Sequence, residues 1–171
     1  LPGIDGKAKM SKSLGNCIYL SDSEEEIRKK IMSMFTDPNH LRVEDPGNVE
    51  GNPVFIYLDA FCQDEHFEKY LPEYKNLDEL KAHYTRGGLG DVKVKRFLNN
   101  VIQDELRPIR ERRQEFAKDI PAVYRILEEG SRKAEAKAAQ TLAEMKRAMK
   151  INYFEDKELI EEQAKRFASE A

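Results

Sequence analysis

The chain has 171 residues, 40% of them apolar and 36% charged, with no Trp and a formal net charge of −3. That length supports one good-sized domain or a little more. No apolar run approaches the roughly 18 residues that a membrane-spanning helix needs, and no charged-then-apolar start suggests a signal peptide. Cys17 and Cys62 and the histidines at 40, 66 and 83 show no metal-ligand spacing, so no zinc site is expected and the cysteines are expected to be a reduced pair.

The chain opens Leu1-Pro2-Gly3 rather than on Met, which reads as a piece cut from a longer protein. The stretch 5–16, DGKAKMSKSLGN, has no apolar period and carries Lys7, Lys9 and Lys12. A solvated linker with incidental lysines is the plain reading. Glycines at 3, 6 and 15 point further, because they suit a segment that moves or lets a ligand approach its backbone. Two lysines separated by two residues can set two ammonium groups on one polyanion, with Ser11 and Ser13 as added donors. That combination suits a triphosphate whose charge shifts as a bond breaks.

Beyond the loop, CIYL (17–20) is a short β-type run. A helix follows in SDSEEEIRKKIMSMFTDP, with Ser23 and Glu26 at capping-box spacing and Pro38 as its stop. Ile27, Ile31 and Met34 form its buried stripe, with Phe35 beside it. A polar connection over 37–53 leads to a second helix capped by Asn52-Pro53. A helical turn or two follows in DEHFEKYL. Asn76 starts a further helix and Gly87-Gly88 stops it. Asp91 is expected to cap VKVKRFLNNVIQDELRPIRERRQEF, where Val94, Phe97, Leu98, Val101, Ile102, Leu106, Ile109 and Phe116 face a core and Pro108 should kink the helix. A long helix from about Pro121 to Met149 carries the stripe Val123, Ile126, Leu127, Ala134, Leu142, Met145 and Met149, and is weakened at Gly130-Ser131. Lys157 to Ala168 closes the chain as a charged helix. The sum is a mainly α protein, a helical bundle preceded by a loop.

Charge is uneven. Residues 14–85 hold 15 acids against 7 bases, whereas 86–118 hold 9 bases against 5 acids. The basic middle can bind an anionic partner locally, because screening limits each charge to about 10 Å.

Lys9-Met10-Ser11-Lys12-Ser13 resembles the KMSKS signature of class I aminoacyl-tRNA synthetases. With it, LPGIDGKA, EEEIRKKIMSMFTDP and GGLGDVKVKRFLNNVIQDELRPIRERR resemble the C-terminal portion of the bacterial-type tryptophan branch over most of residues 1–150. The tail from Ile151 is longer than usual. The tyrosine branch is the rival, but its signature typically departs from Met-Ser at the second and third positions.

The resemblance implies that residues 1–20 are the edge of a Rossmann-type catalytic domain otherwise missing, and that 21–171 are a helical anticodon- and tRNA-binding domain. It implies an ATP-dependent ligase, using ATP with Mg2+, that activates tryptophan as an adenylate and passes it to tRNA. Lys9 and Lys12 would hold the phosphates as the catalytic pair, with Met10, Ser11 and Ser13 shaping the ATP-binding loop. That loop is expected to be mobile or misplaced without ATP. The whole enzyme would be a cytoplasmic homodimer that engages neither membrane nor DNA, and the piece alone would be inactive.

Lys93, Lys95, Arg96, Arg107, Arg110, Arg112 and Arg113 are candidate contacts to the tRNA backbone. Their plain alternative is pairing with Asp104, Glu105, Glu111 and Glu115 at helical spacing. Tyr57, Tyr70 and Tyr74 are expected in the core rather than stacked on bases. Two alternatives stay open beside the ligase: a non-catalytic helical RNA-binding module, and an interaction protein with a chance KMSKS match.

Overall fold

The computed structural model describes residues 1–168. Among them it contains α1 (Glu24–Met32), α2 (Pro53–Phe61), α3 (Asp64–Tyr70), α4 (Leu77–Arg86), α5 (Asp91–Ala117), α6 (Ile120–Ala148) and α7 (Lys157–Ala168). The last three positions of the helical region predicted to reach 171 lie outside the described residues. Leu1–Glu115 forms one compact unit, and a second begins at Phe116.

Local chemistry explains the helix ends of the first unit. The Glu26 amide donates to Ser23 Oγ (3.3 Å) and the Ser23 amide to Glu26 Oε2 (2.7 Å), the reciprocal pair of a capping box. Asn52 Oδ1 accepts from the Val54 amide ahead of α2, and Asn76 Oδ1 from the Glu79 amide ahead of α4. Gly87 stops α4 at φ +90°, and a Cβ there would lie 2.3 Å from the Glu44 carbonyl oxygen, so only glycine fits.

Two expectations near the start of the chain are corrected. Cys17–Leu20 is not a strand; the Tyr19 amide donates to Asp22 Oδ2 (2.8 Å), so a side chain takes the place of a ladder partner. α1 ends at Met32, well before Pro38, because Lys95 Nζ donates to the carbonyls of Met32 (3.2 Å) and Met34 (2.6 Å). A cation on the last carbonyls completes the helix end. Phe35, beside the buried stripe, is 40% exposed. Its ring lies against Gly6, and its amide donates to the Ile4 carbonyl (2.8 Å).

The apolar centre of this unit is built from five helices. Ile27 and Ile31 come from α1 and Met34 follows it; Val54, Phe55, Tyr57 and Leu58 come from α2. Phe67 of α3 meets Phe97 of α5 with ring centroids 4.7 Å apart. Leu80 and Tyr84 of α4, and Leu98, Val101 and Ile102 of α5, complete the centre. Asp91 is the first residue of α5, and its carboxylate accepts from the Tyr84 hydroxyl (2.7 Å) and pairs with His40 Nδ1 (3.0 Å). That bond ties the start of α5 to α4 and to the 37–52 connection. Leu106 packs at the core's edge, while Ile109 and Phe116 of the expected stripe are exposed.

In the second unit, Asp119 Oδ1 accepts from the Ala122 amide to cap α6. The helix runs unbroken through Gly130-Ser131. No residue of α6 or of the described part of α7 is buried, so the stripe at Ile126, Leu127, Leu142, Met145 and Met149 is exposed rather than packed. Pairs one turn apart, Glu128–Arg132 and Glu129–Lys133, support the helix locally.

This contrast is measurable by urea unfolding of the chain. Leu98→Ala, at a fully buried position, is expected to cost about 2–5 kcal/mol. Ile126→Ala, at a position 58% exposed, is expected to change stability by about 0.5 kcal/mol or less.

Candidate functional site

One side of the 5–16 loop is bonded to the side chain of Asn16, which is only 4% exposed. Asn16 Oδ1 accepts from the Ser11 amide (2.8 Å). Its Nδ2 faces Asp5 Oδ1 and Oδ2 (both 3.3 Å) and the Lys9 carbonyl (3.4 Å). Its own backbone carbonyl accepts from the Ile4 amide (3.0 Å). The Gly3 amide donates to the Ala8 carbonyl (2.7 Å), beside an isolated antiparallel bridge between Pro2 and Lys9. A Cβ on Gly3 would come within 2.1 Å of Asn16 Nδ2, so the approach requires glycine. The Tyr57 hydroxyl donates to the Pro2 carbonyl (2.8 Å) and anchors the loop's base on α2.

Burial works to raise the Asp5 carboxyl, but hydrogen bonds from the Lys7 amide, the Asn16 side chain and the Ala8 amide outweigh it and hold the group below its ordinary range. Asp5 is therefore held in its ionised form by hydrogen bonds rather than by an ion pair.

On this frame Lys9 and Lys12 are both exposed, and neither has a carboxylate partner among the described residues. The Ser11 and Ser13 hydroxyls lie 2.8 Å apart. The tip turns through a bond from the Gly15 amide to the Lys12 carbonyl (3.2 Å). An open groove of about 580 Å³ adjoins the loop, lined by Met10, Lys12, Cys17, Ile18, Tyr19, Leu20, Ser21, Ile109 and Arg113. Two uncompensated ammonium groups, a hydroxyl pair and an adjoining apolar groove can receive a polyphosphate group.

The seven basic residues singled out on α5 separate into distinct environments. Lys95 is buried on the Met32 and Met34 carbonyls, and burial pushes its ammonium below the usual lysine range. The structure thus withdraws it from any outward surface. Arg110 is largely covered and pairs with Glu24 (3.0 Å). Lys93 pairs with Glu73 (2.6 Å) and Arg107 with Asp104 (2.9 Å). Arg96, Arg112 and Arg113 are exposed and have no carboxylate partner among the described residues. The three tyrosines are inward: Tyr57 is buried, with its hydroxyl pushed up to about 12 by burial, Tyr70 donates to Asp104 (2.5 Å), and Tyr74 meets His83 Nδ1 (2.7 Å). Both cysteines are free thiols; burial pushes that of Cys62 up to about 11.

Sequence reasoning missed Asn16 and Asp5. The only signal available was an Asn after a Lys-rich turn with an Asp eleven residues before it, and nothing local says that the two meet.

This loop and the helices behind it match a known family. The family model for class I tRNA synthetases (W and Y) matches residues 1–107, and the chain belongs to that family. Among individual relatives, the tryptophan--tRNA ligase of Clostridium longisporum is 62% identical over 154 residues, covering 90% of this chain and 42% of that protein. The tryptophan--tRNA ligase of Streptococcus pyogenes is 58% identical over 154 residues, with 90% and 43% covered. The crystal structure of tryptophanyl-tRNA synthetase from Campylobacter jejuni complexed with ADP and tryptophan superposes with a TM-score of 0.67 at 28% identity, covering 86% of this chain and 42% of that one. The chain thus spans less than half the length of the curated relatives it matches.

Asp104 gives a pH test of the helical face. Hydrogen bonds from Lys69 and from the Tyr70 hydroxyl hold its carboxyl below the ordinary value of 3.8. The contribution is fully present above pH 3.8 and is lost as pH falls below it, through the folded value. Asp104→Asn is expected to be less stable than the unchanged chain at pH 7, with the gap closing below pH 3.8 in thermal melts.

Proposed function

We propose that this chain is the C-terminal part of a tryptophan--tRNA ligase, in which the 5–16 loop closes on ATP and the helices engage tRNA. The observation that carries the reading is the pair Lys9 and Lys12, both exposed and unpaired on a loop whose base is held by Asn16. The relatives' names and the ADP and tryptophan in the Campylobacter complex support the same reading.

In this account the tryptophan carboxylate attacks the α-phosphorus of ATP and pyrophosphate leaves. Lys9, Lys12 and the Ser11 and Ser13 hydroxyls stabilise the charge that builds on the departing oxygens, while Met10 shapes the loop beside the groove. Mg2+ arrives with the nucleotide. Residues 1–20 are then the edge of the catalytic domain, the helical region that follows binds the anticodon arm, and the whole enzyme is a cytoplasmic homodimer. The chain by itself does not form the adenylate.

The test is Lys12→Ala in the full-length enzyme, read by ATP–pyrophosphate exchange. Loss of a donor that acts on developing charge is worth roughly 3 kcal/mol, a fall of about a hundredfold. An unchanged rate would remove Lys12 from the reaction.

The tRNA surface narrows to Arg96, Arg112 and Arg113, because the other basic side chains of α5 are paired or buried. Replacing Arg112 and Arg113 by Ala is expected to weaken tRNA binding and to lower the slope of log K against log salt by about two. Lys95→Met should lower stability and leave that slope alone.

A further inference from the structure

We propose that Asn16 and Asp5 act as a positioning pair that presets the Lys9 arm of the loop for the phosphates of ATP, while the Lys12 arm lies outside their reach. The inference rests on the reading of this loop as the ATP-phosphate loop.

The pair divides the loop in two. Asn16 bonds the Ser11 amide and faces the Lys9 carbonyl, so the backbone on both sides of Met10 is fixed by one amide. Asp5 orients that amide: its two carboxylate oxygens face Nδ2, which leaves Oδ1 for Ser11. Asp5 in turn accepts from the Lys7 amide (3.3 Å). Gly3 leaves the space through which the Asn16 side chain passes. None of these bonds reaches Lys12, which sits at the exposed tip between the Gly15 amide bond to its carbonyl and the Ser11–Ser13 hydroxyl pair. Neither Asn16 nor Asp5 needs to touch the nucleotide, since both act through the backbone that carries Lys9 and Ser11. A preset arm adds transition-state stabilisation because its ordering cost is met before ATP binds.

The test has a kinetic part and an exchange part. In the full-length enzyme, Asn16→Ala is expected to lower kcat/KM for ATP about tenfold, equivalent to about 1.4 kcal/mol, with the KM for tryptophan within about twofold of the unchanged enzyme. Because the pair acts through Lys9 and Ser11, adding Asn16→Ala to the Lys9→Ala, Ser11→Ala double variant should change little further, whereas adding it to Lys12→Ala should multiply the two losses. In the chain itself, hydrogen exchange at the Ser11 amide should speed up about tenfold in Asn16→Ala, with the amides of Leu58 and Leu98 unchanged. If Asn16→Ala fails to fold, Asp5→Ala serves the same measurements with the same expected direction.

Wild-type kinetics in Asn16→Ala beside an impaired Lys12→Ala would overturn the positioning role and leave the loop's function standing. Equal further losses on the Lys9→Ala, Ser11→Ala background and on the Lys12→Ala background would overturn the route through Lys9 and Ser11. Unchanged exchange at Ser11 would overturn the clamp. Full activity in both lysine variants would show that the loop reading itself fails, and the inference with it.

Discussion

The first unit depends on the Lys95 ammonium at the end of α1. A cation buried on two backbone carbonyls is costly unless it is fully bonded, and here it closes a helix terminus that would otherwise hold unsatisfied acceptors. Its position fixes where α1 stops and where Phe35 leaves the core. Phe35 then bonds Ile4 through its amide, and the Ile4 amide bonds the Asn16 carbonyl. One buried lysine of α5 is thus linked, through three short steps, to the amide that shapes the lysine loop. The core and the candidate site share a single mechanical frame.

That frame explains why a loop of glycines, serines and lysines is not a loose tail. Its apolar content is too small to pack, so its order comes from polar bonds to Asn16 and Asp5 and from the Tyr57 hydroxyl beneath Pro2. The lysine ammonium groups stay outside these bonds. Their charges are left for a ligand, and the ionised Asp5 lies on the far side of the Asn16 amide rather than in an ion pair with them. The arrangement separates the groups that hold the loop from the groups that would hold a phosphate.

Much of the helical plan was legible in the sequence, and the reason is local. Ser23, Asn52 and Asn76 announce helix starts because their caps act within three residues, and Gly87 announces a stop because only glycine takes its backbone angle. The exposure of Lys9 and Lys12 was legible from the polar, glycine-bracketed character of the KMSKS run. What escaped depends on distant partners. Lys95 reads as one more cation of a basic helix, yet its partners lie 61 and 63 positions earlier. Phe35 sits in step with a buried stripe, yet it serves the loop at Gly6. Asn16 meets Asp5 across eleven residues. The α6 stripe reads as core by period alone, and period cannot say whether a partner covers it.

The central claim is that Lys9 and Lys12 face the phosphates of ATP, and chemical protection tests it most directly. Acetylation of both lysines in the full-length enzyme, followed by mass spectrometry with and without saturating ATP, reads each ammonium separately. The account predicts that ATP protects Lys9 and Lys12 and leaves Lys93 unchanged. Equal acetylation of Lys9 and Lys12 with and without ATP would contradict it.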